Sequence, residues 1–264
     1  MFSPKNNFYA GKTSLVTGAT SGIGREIAKQ LVFYGCRVLA GGRDKQEMDS
    51  LLKELNEISS GCAQGFVFDL SDKNSRQELI KRISENHEVD ILVNNAGFGY
   101  MADFYEMPEN LIDSMAEVNM AAIVDLCRQF LPKMVERRDG GILNVGSVAS
   151  FFGTPGSALY GATKHFVLGF TDALHQEMLR YGVHVTGIYP GHTDSHFISR
   201  ATAGKKEKWH KAMSPISVAK SALKGLSKNK MRVVPGLGNK MRVLAASFLP
   251  VSMILKKIYN KNAK

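Results

Sequence analysis

Tyr160 and Lys164 stand four residues apart in a segment of helical period running from about Ala158 to Arg180, so both side chains leave the same face. A free tyrosine titrates near ~10 and is a poor proton catalyst at neutrality. A lysine ammonium beside it favours the phenolate and is expected to lower that value. Ser147, on a separate loop, offers a hydroxyl that can stabilise charge developing on an oxygen. Each residue has a plainer reading alone: Tyr-x3-Lys on a helix often spans core and surface, and a serine after a strand is usually a turn former.

A second cluster lies near the N-terminus. Thr17-Gly18-Ala19-Thr20-Ser21-Gly22-Ile23-Gly24 follows a short apolar run and opens a helical segment. Glycines at this spacing let the backbone turn sharply and approach a pyrophosphate, while the helix start offers unpaired N–H groups and a positive dipole end. The spacing Gly-x3-Gly-x-Gly is neither the common Gly-x-Gly-x2-Gly fingerprint nor a P-loop, since no Lys-Ser/Thr pair follows the last glycine. The second apolar run ends Gly41-Gly42-Arg43-Asp44. An acid at that tip would bind a ribose 2′-hydroxyl and repel a 2′-phosphate. Gly42 leaves room instead, and Arg43 can fork onto phosphate oxygens. That favours NADP(H) over NAD(H), although Asp44 could draw the guanidinium away.

These residues need a frame. Strand-like runs at Ser14–Thr17, Arg37–Ala40, Gly65–Phe68, Asp90–Val93, Gly141–Val145, His184–Ile188 and Met231–Val234 alternate with helix-period segments. Helices are expected up to Tyr34, over Lys45–Ile58, near Arg76–Ser84, after Pro108 and over Ala158–Arg180. Short apolar runs joined by crossover helices predict an α/β fold: one Rossmann-type, doubly wound parallel sheet of about seven strands with helices on both faces. In such sheets ligands bind beyond the carboxyl ends of the strands, where the strand order reverses. The unusual residues all follow strands.

Taken jointly and in order, the motifs resemble the short-chain dehydrogenase/reductase family over about Gly11 to Pro235. The octet is similar to TGxxxGxG, Asn94-Asn95-Ala96-Gly97 to NNAG, and Tyr160-x3-Lys164 to YxxxK; Asn119, Ser147 and Pro190-Gly191 fall in family order. The resemblance implies a catalytic set of Asn119, Ser147, Tyr160 and Lys164, with Asn119 supporting a water-linked proton path to the lysine. It implies a cofactor site of Gly18, Thr20, Ser21, Gly22, Ile23, Gly24, Arg43, Asp69, Leu70, Asn95, Ala96, Gly97, Tyr160, Lys164, Pro190, Gly191 and Thr193. Asp69 would hold the adenine amino group, though Asp69-Leu-Ser-Asp72 also reads as a helix cap. Thr193 would fix the carboxamide, and His192 reads as a loop histidine. No metal is implied. The activity expected is NADPH-dependent reduction of a ketone, aldehyde or 3-oxoacyl carbonyl to an alcohol, or the reverse. A non-catalytic NADP(H)-binding redox sensor is the alternative.

Composition bounds the rest. The 264 residues, 44% hydrophobic, suit one domain, expected over 1–240 with a substrate loop at 192–214 and an extension at 241–264. Three cysteines without framework spacing predict reduced thiols and, with no signal or spanning segment, a cytoplasmic protein. A net charge of +10 with many lysines after Lys205 reads as a solvated basic face rather than a nucleic-acid site, as no binding motif accompanies it. Phe98, Gly99, Tyr100, Phe151, Phe152, Tyr189 and the Asp194–Met213 segment with Trp209 are candidates to line an apolar substrate pocket. A homodimer or homotetramer is expected. The apolar stretch Met241–Tyr259, interrupted by Pro250 and flanked by basic residues, reads as a peripheral membrane contact, a subunit contact or a cover over the cleft.

Overall fold

The computed structural model describes residues 8–195, 197–202, 204 and 212–262. Lys205, Lys206, Lys208, Trp209 and Lys211 lie outside the described residues.

Seven parallel strands form one sheet in the order β3-β2-β1-β4-β5-β6-β7: β1 Thr13–Val16, β2 Arg37–Gly42, β3 Ala63–Val67, β4 Ile91–Asn94, β5 Gly141–Val145, β6 His184–Ile188 and β7 Arg232–Val233. Successive strand residues point to opposite faces. Val16, Val38 and Ala40 accordingly enter one core cluster, whereas Leu15 and Leu39 enter the other. Helices α1 (Gly22–Phe33) and α2 (Lys45–Ile58) cover the first face. Helices α3 (Lys73–Asn86), α5 (Ala122–Arg137) and α6 (Ala158–Met178) cover the second, with the short α4 (Glu109–Ala116) leading into α5. In α1 the buried residues Gly24, Ile27, Ala28 and Leu31 repeat at helical spacing.

Three elements depart from the sequence reading. The helix expected after Pro108 is α4 and α5 joined through a five-residue π turn, Glu117–Ala121. Helix α8 (Pro215–Ser227), following the short α7 (Phe197–Ala201), falls in a stretch read only as a lysine-rich face. It buries Val218, Ala219, Ala222, Leu223 and Leu226 against α1, while Lys220, Lys224 and Lys228 remain exposed. The charge pattern concealed a core helix. The extension begins at Leu237 and forms two helices, α9 (Leu237–Phe248) and α10 (Val251–Asn262), parted at Pro250. Among the described residues no helix is long and apolar enough to cross a membrane.

Candidate active site

The strand order reverses between β1 and β4, and their loops interlock there. Thr17 Oγ1 donates to Val93 O (3.2 Å) and accepts from the N–H groups of Asn95 and Ala96, each at 3.0 Å. Asn95 Nδ2 donates to Thr17 O and Gly18 O, both at 3.0 Å. Gly18 turns with φ +61°, and a Cβ there would sit 2.9 Å from Ala96 Cα. Only glycine fits. Gly22 (φ +55°) then starts α1, whose cap residue Ser21 makes no side-chain cap bond and whose first turn carries no acid. Thr20 O is held by Arg25 Nη1 (2.8 Å), and Ile23 packs on the core. An open helix N-terminus beside a glycine turn is a cradle for a diphosphate.

Beyond the tip of β2, Asp44 does not engage Arg43; its carboxylate caps α2 by accepting from Glu47 N (3.0 Å). Among the described residues, the carboxylate nearest Arg43 is Asp69, at 4.0 Å. Asp69 Oδ1 accepts from Ser71 N and Oγ, and the helix-capping acid in that run is Asp72 rather than Asp69. Leu70 is buried, its carbonyl held by Arg76 Nη1 at 2.7 Å. The sequence reading missed Arg200 of α7, whose Nη2 donates to Ser21 Oγ at 3.0 Å. Its guanidinium is pushed below its ordinary value by desolvation and by the charge of Arg43. Two cations therefore flank the glycine turn.

The proposed proton chemistry converges beyond β4, β5 and β6. Ser147 starts a 3-10 turn (Val148–Ser150), and its Oγ accepts from Ala149 N (3.1 Å). Lys164 is buried and donates to Val145 O (2.9 Å), with Nζ 5.8 Å from the Tyr160 ring centre. Desolvation pushes Lys164 down from 10.5 to about 8. Tyr160 moves opposite to expectation. Burial raises its phenol to about 12, with Ser147 a smaller influence in the opposite direction. In the protein alone, dehydration of the phenolate sets the direction.

Asn119 is fully buried in the π turn, a geometry recurrent at functional sites. Its side chain accepts from Phe98 N (3.1 Å) and donates to Phe98 O (2.9 Å) and Thr163 Oγ1 (3.0 Å), while Thr163 Oγ1 donates to Tyr160 O (2.8 Å). A Cβ on Gly97 would lie 3.0 Å from Asn119 Oδ1 and 3.5 Å from Lys164 Nζ, so Gly97 sits against both side chains. Pro190 O accepts from Val148 N (3.0 Å), and Thr193 Oγ1 donates to Gly191 O (3.1 Å). The loops after β5 and β6 are thus tied together. Asn94, by contrast, donates to Asn144 Oδ1 (2.8 Å) in the core.

The aromatic candidates divide. Tyr189 is fully buried, packs edge-on to Phe151 with ring centres 5.1 Å apart, and belongs to the core rather than a pocket wall. Phe197, not singled out from sequence, lies 5.5 Å from Tyr160, and Gly99 faces the same ring. Cys36, Cys62 and Cys127 are free thiols. Among the described residues no cluster of His, Cys, Asp or Glu could hold a metal.

The family profile described as short chain dehydrogenase matches residues 12–206. The 3-oxoacyl-(acyl-carrier-protein) reductase FabG of Thermotoga maritima is 32% identical over 182 residues, 69% of this chain and 74% of that protein. A short-chain dehydrogenase from Sphingobium yanoikuyae in complex with NADPH superposes with TM-score 0.82 at 28% identity, covering 89% of this chain and 93% of that one. The bulky-bulky ketone specific alcohol dehydrogenase from Comamonas testosteroni gives TM-score 0.76 at 27% identity over 90% and 95% of the two chains. The chain belongs to the short-chain dehydrogenase family of oxidoreductases.

Proposed function

We propose that the protein is an NADPH-dependent carbonyl reductase in which Tyr160 is the proton donor. The observation that carries this reading is the convergence of Ser147, Tyr160, Lys164 and Asn119 beside a glycine turn flanked by Arg43 and Arg200. NADP(H) is the fitting cofactor: the strand tip is Gly42, no acid stands there, and a guanidinium follows it. The NADPH complex of the Sphingobium relative supports the same choice.

When bound, the reduced nicotinamide supplies the hydride that the carbonyl carbon takes up. Tyr160 delivers its phenolic proton to the carbonyl oxygen, and the Ser147 hydroxyl stabilises charge on that oxygen. A phenol raised to about 12 is protonated at neutral pH, as a donor must be. Lys164 stabilises the phenolate left behind and reaches the cofactor ribose. Asn119 supports replenishment of the proton through water. Thr193 and the Pro190-Gly191 turn hold the carboxamide end, while Asp69 and Leu70 hold the adenine. Phe197, Phe151 and Phe152 favour an apolar substrate, and the Comamonas alcohol dehydrogenase is described as specific for bulky-bulky ketones.

A panel of ketones, aldehydes and 3-oxoacyl thioesters, followed by NADPH absorbance, tests the proposal. Turnover of an apolar carbonyl with NADPH is expected. Tight NADPH binding without turnover of any panel member would point instead to a redox sensor.

A further inference from the structure

Helix α9 is built inside out for a protein in water. Leu237, Met241, Leu244 and Phe248 repeat at i, i+4, i+7 and i+11 and all face solvent, Leu237 at 75% and Phe248 at 80% exposure. Its inner face, toward the body, carries Asn239, Val243 and Ala246. A surface helix ordinarily turns its apolar stripe inward. Helix α10 turns Ile254, Leu255 and Ile258 toward the body, half-buried, but still leaves Val251, Met253 and Tyr259 exposed. The charge is one-sided. Between Pro235 and Lys264 there are six Lys or Arg residues and no Asp or Glu.

The pair sits on the rim of the site. Asn239 lies against Gly191, where a Cβ would run into it, and its Nδ2 donates to Pro235 O (2.9 Å). A Cβ on Gly153 would lie 2.9 Å from Leu255 Cδ2. Gly191 precedes Thr193, and Gly153 lies between Ser147 and Tyr160. The inner face of the pair thus covers the substrate-side loops.

We propose that the outer face of α9 and α10 docks on an anionic lipid surface, with its apolar stripe in the acyl boundary and its basic residues at the headgroups. Lys240, Arg242, Lys256 and Lys257 match that partner, because a leaflet rich in acidic lipid attracts basic segments. A second copy is a poorer occupant: a two-fold contact would bring two basic, acid-free segments together. Docking in this orientation sets the rim of the site against the bilayer. On the reading proposed above, the substrate is then a carbonyl dissolved in the membrane rather than in water.

Co-sedimentation of the full chain with vesicles of phosphatidylcholine alone, and of phosphatidylcholine with phosphatidylglycerol, tests the docking without reference to catalysis. Binding is expected only with phosphatidylglycerol and should weaken as salt rises. Phe248→Glu should lower it by about tenfold or more, since one buried phenylalanine contributes that much. Lys256→Gln with Lys257→Gln should lower it by a similar factor. Both changes are on exposed positions, and thermal melts check that each variant folds. Binding that ignores lipid charge, or that Phe248→Glu leaves unchanged, overturns the proposal. So does a fall in solution mass for Phe248→Glu without vesicle binding by the parent, which assigns the face to a second copy. A protein that binds vesicles yet reduces no carbonyl, soluble or vesicle-dissolved, keeps the docking surface and refutes the enzymatic reading.

Discussion

The two halves of the site are held in different ways. On the proton-transfer side, Asn119, Thr163 and Lys164 are buried, and each hydrogen-bonds to a neighbouring loop or helix. On the cofactor-phosphate side, Arg43 is 61% exposed, with one carboxylate 4.0 Å away, and Arg200 reaches in from a separate helix. The buried half is preorganised at a cost in charge desolvation. In the proposed function, the open half would rely on long cations that order around an incoming phosphate. Changes in the first half should therefore alter both chemistry and stability; those in the second should alter affinity and cofactor choice.

Lys164 is the sharpest probe of the buried half. Lys164→Met should reduce turnover by at least about 10²-fold, because the phenolate loses its partner. The same substitution should stabilise the fold. The buried ammonium has its value pushed from 10.5 to about 8, so its penalty is complete below pH 8 and is relieved as pH rises toward 10.5. At pH 7 the variant is expected to gain on the order of 3 kcal/mol or less. That gain should shrink between pH 8 and 10, as measured by denaturant melts of both proteins. A constant difference across that range would mean that burial does not lower the value of Lys164, the ammonium staying charged in the folded and the unfolded chain alike.

Arg76 tests whether the halves are mechanically joined. It is buried, donates to Leu70 O on the adenine side, and pairs with Glu117 of the π turn (2.9 Å) and Asp125 of α5 (2.7 Å). Arg76→Ala should cost about 2–4 kcal/mol in a urea melt, less than a fully buried pair because both acids are partly exposed. If the connection matters, it should also weaken turnover. A stability loss with unchanged activity would separate the two roles.

The open half should give smaller, more selective effects. Arg43→Ala is expected to weaken NADPH binding about tenfold while leaving NADH binding nearly unchanged, as fluorescence titration would report. Equal losses for both cofactors would make Arg43 a bystander. Arg200→Ala should have the smallest effect, a few-fold loss in NADPH affinity, with its hydrogen bond to Ser21 as the contact removed.

Much of this contrast was legible in the sequence, and the exceptions have physical causes. The seven strands and their crossover helices follow from apolar runs bounded by polar helix starts, and the octet identified the glycine turn. Helix α8 was hidden because Lys220 and Lys224 were read with the lysines on either side of it, although Val218, Ala222 and Leu226 keep a buried spacing. Arg200 and Phe197 fell within the candidate segment Asp194–Met213 but could not be singled out, because their positions depend on how the chain folds back after β6. The direction of the Tyr160 shift was missed for a related reason: sequence spacing reveals the lysine four residues away, but not the burial that raises the phenol.

The central claim is that Tyr160 supplies the proton. Tyr160→Phe removes one hydroxyl from a ring that Phe197 continues to support. Measuring NADPH-dependent turnover alongside NADPH binding on that variant is the most direct test. The account predicts a loss of turnover of about 10²–10⁴-fold with cofactor affinity nearly unchanged. Turnover close to that of the parent protein, with binding intact, would contradict it.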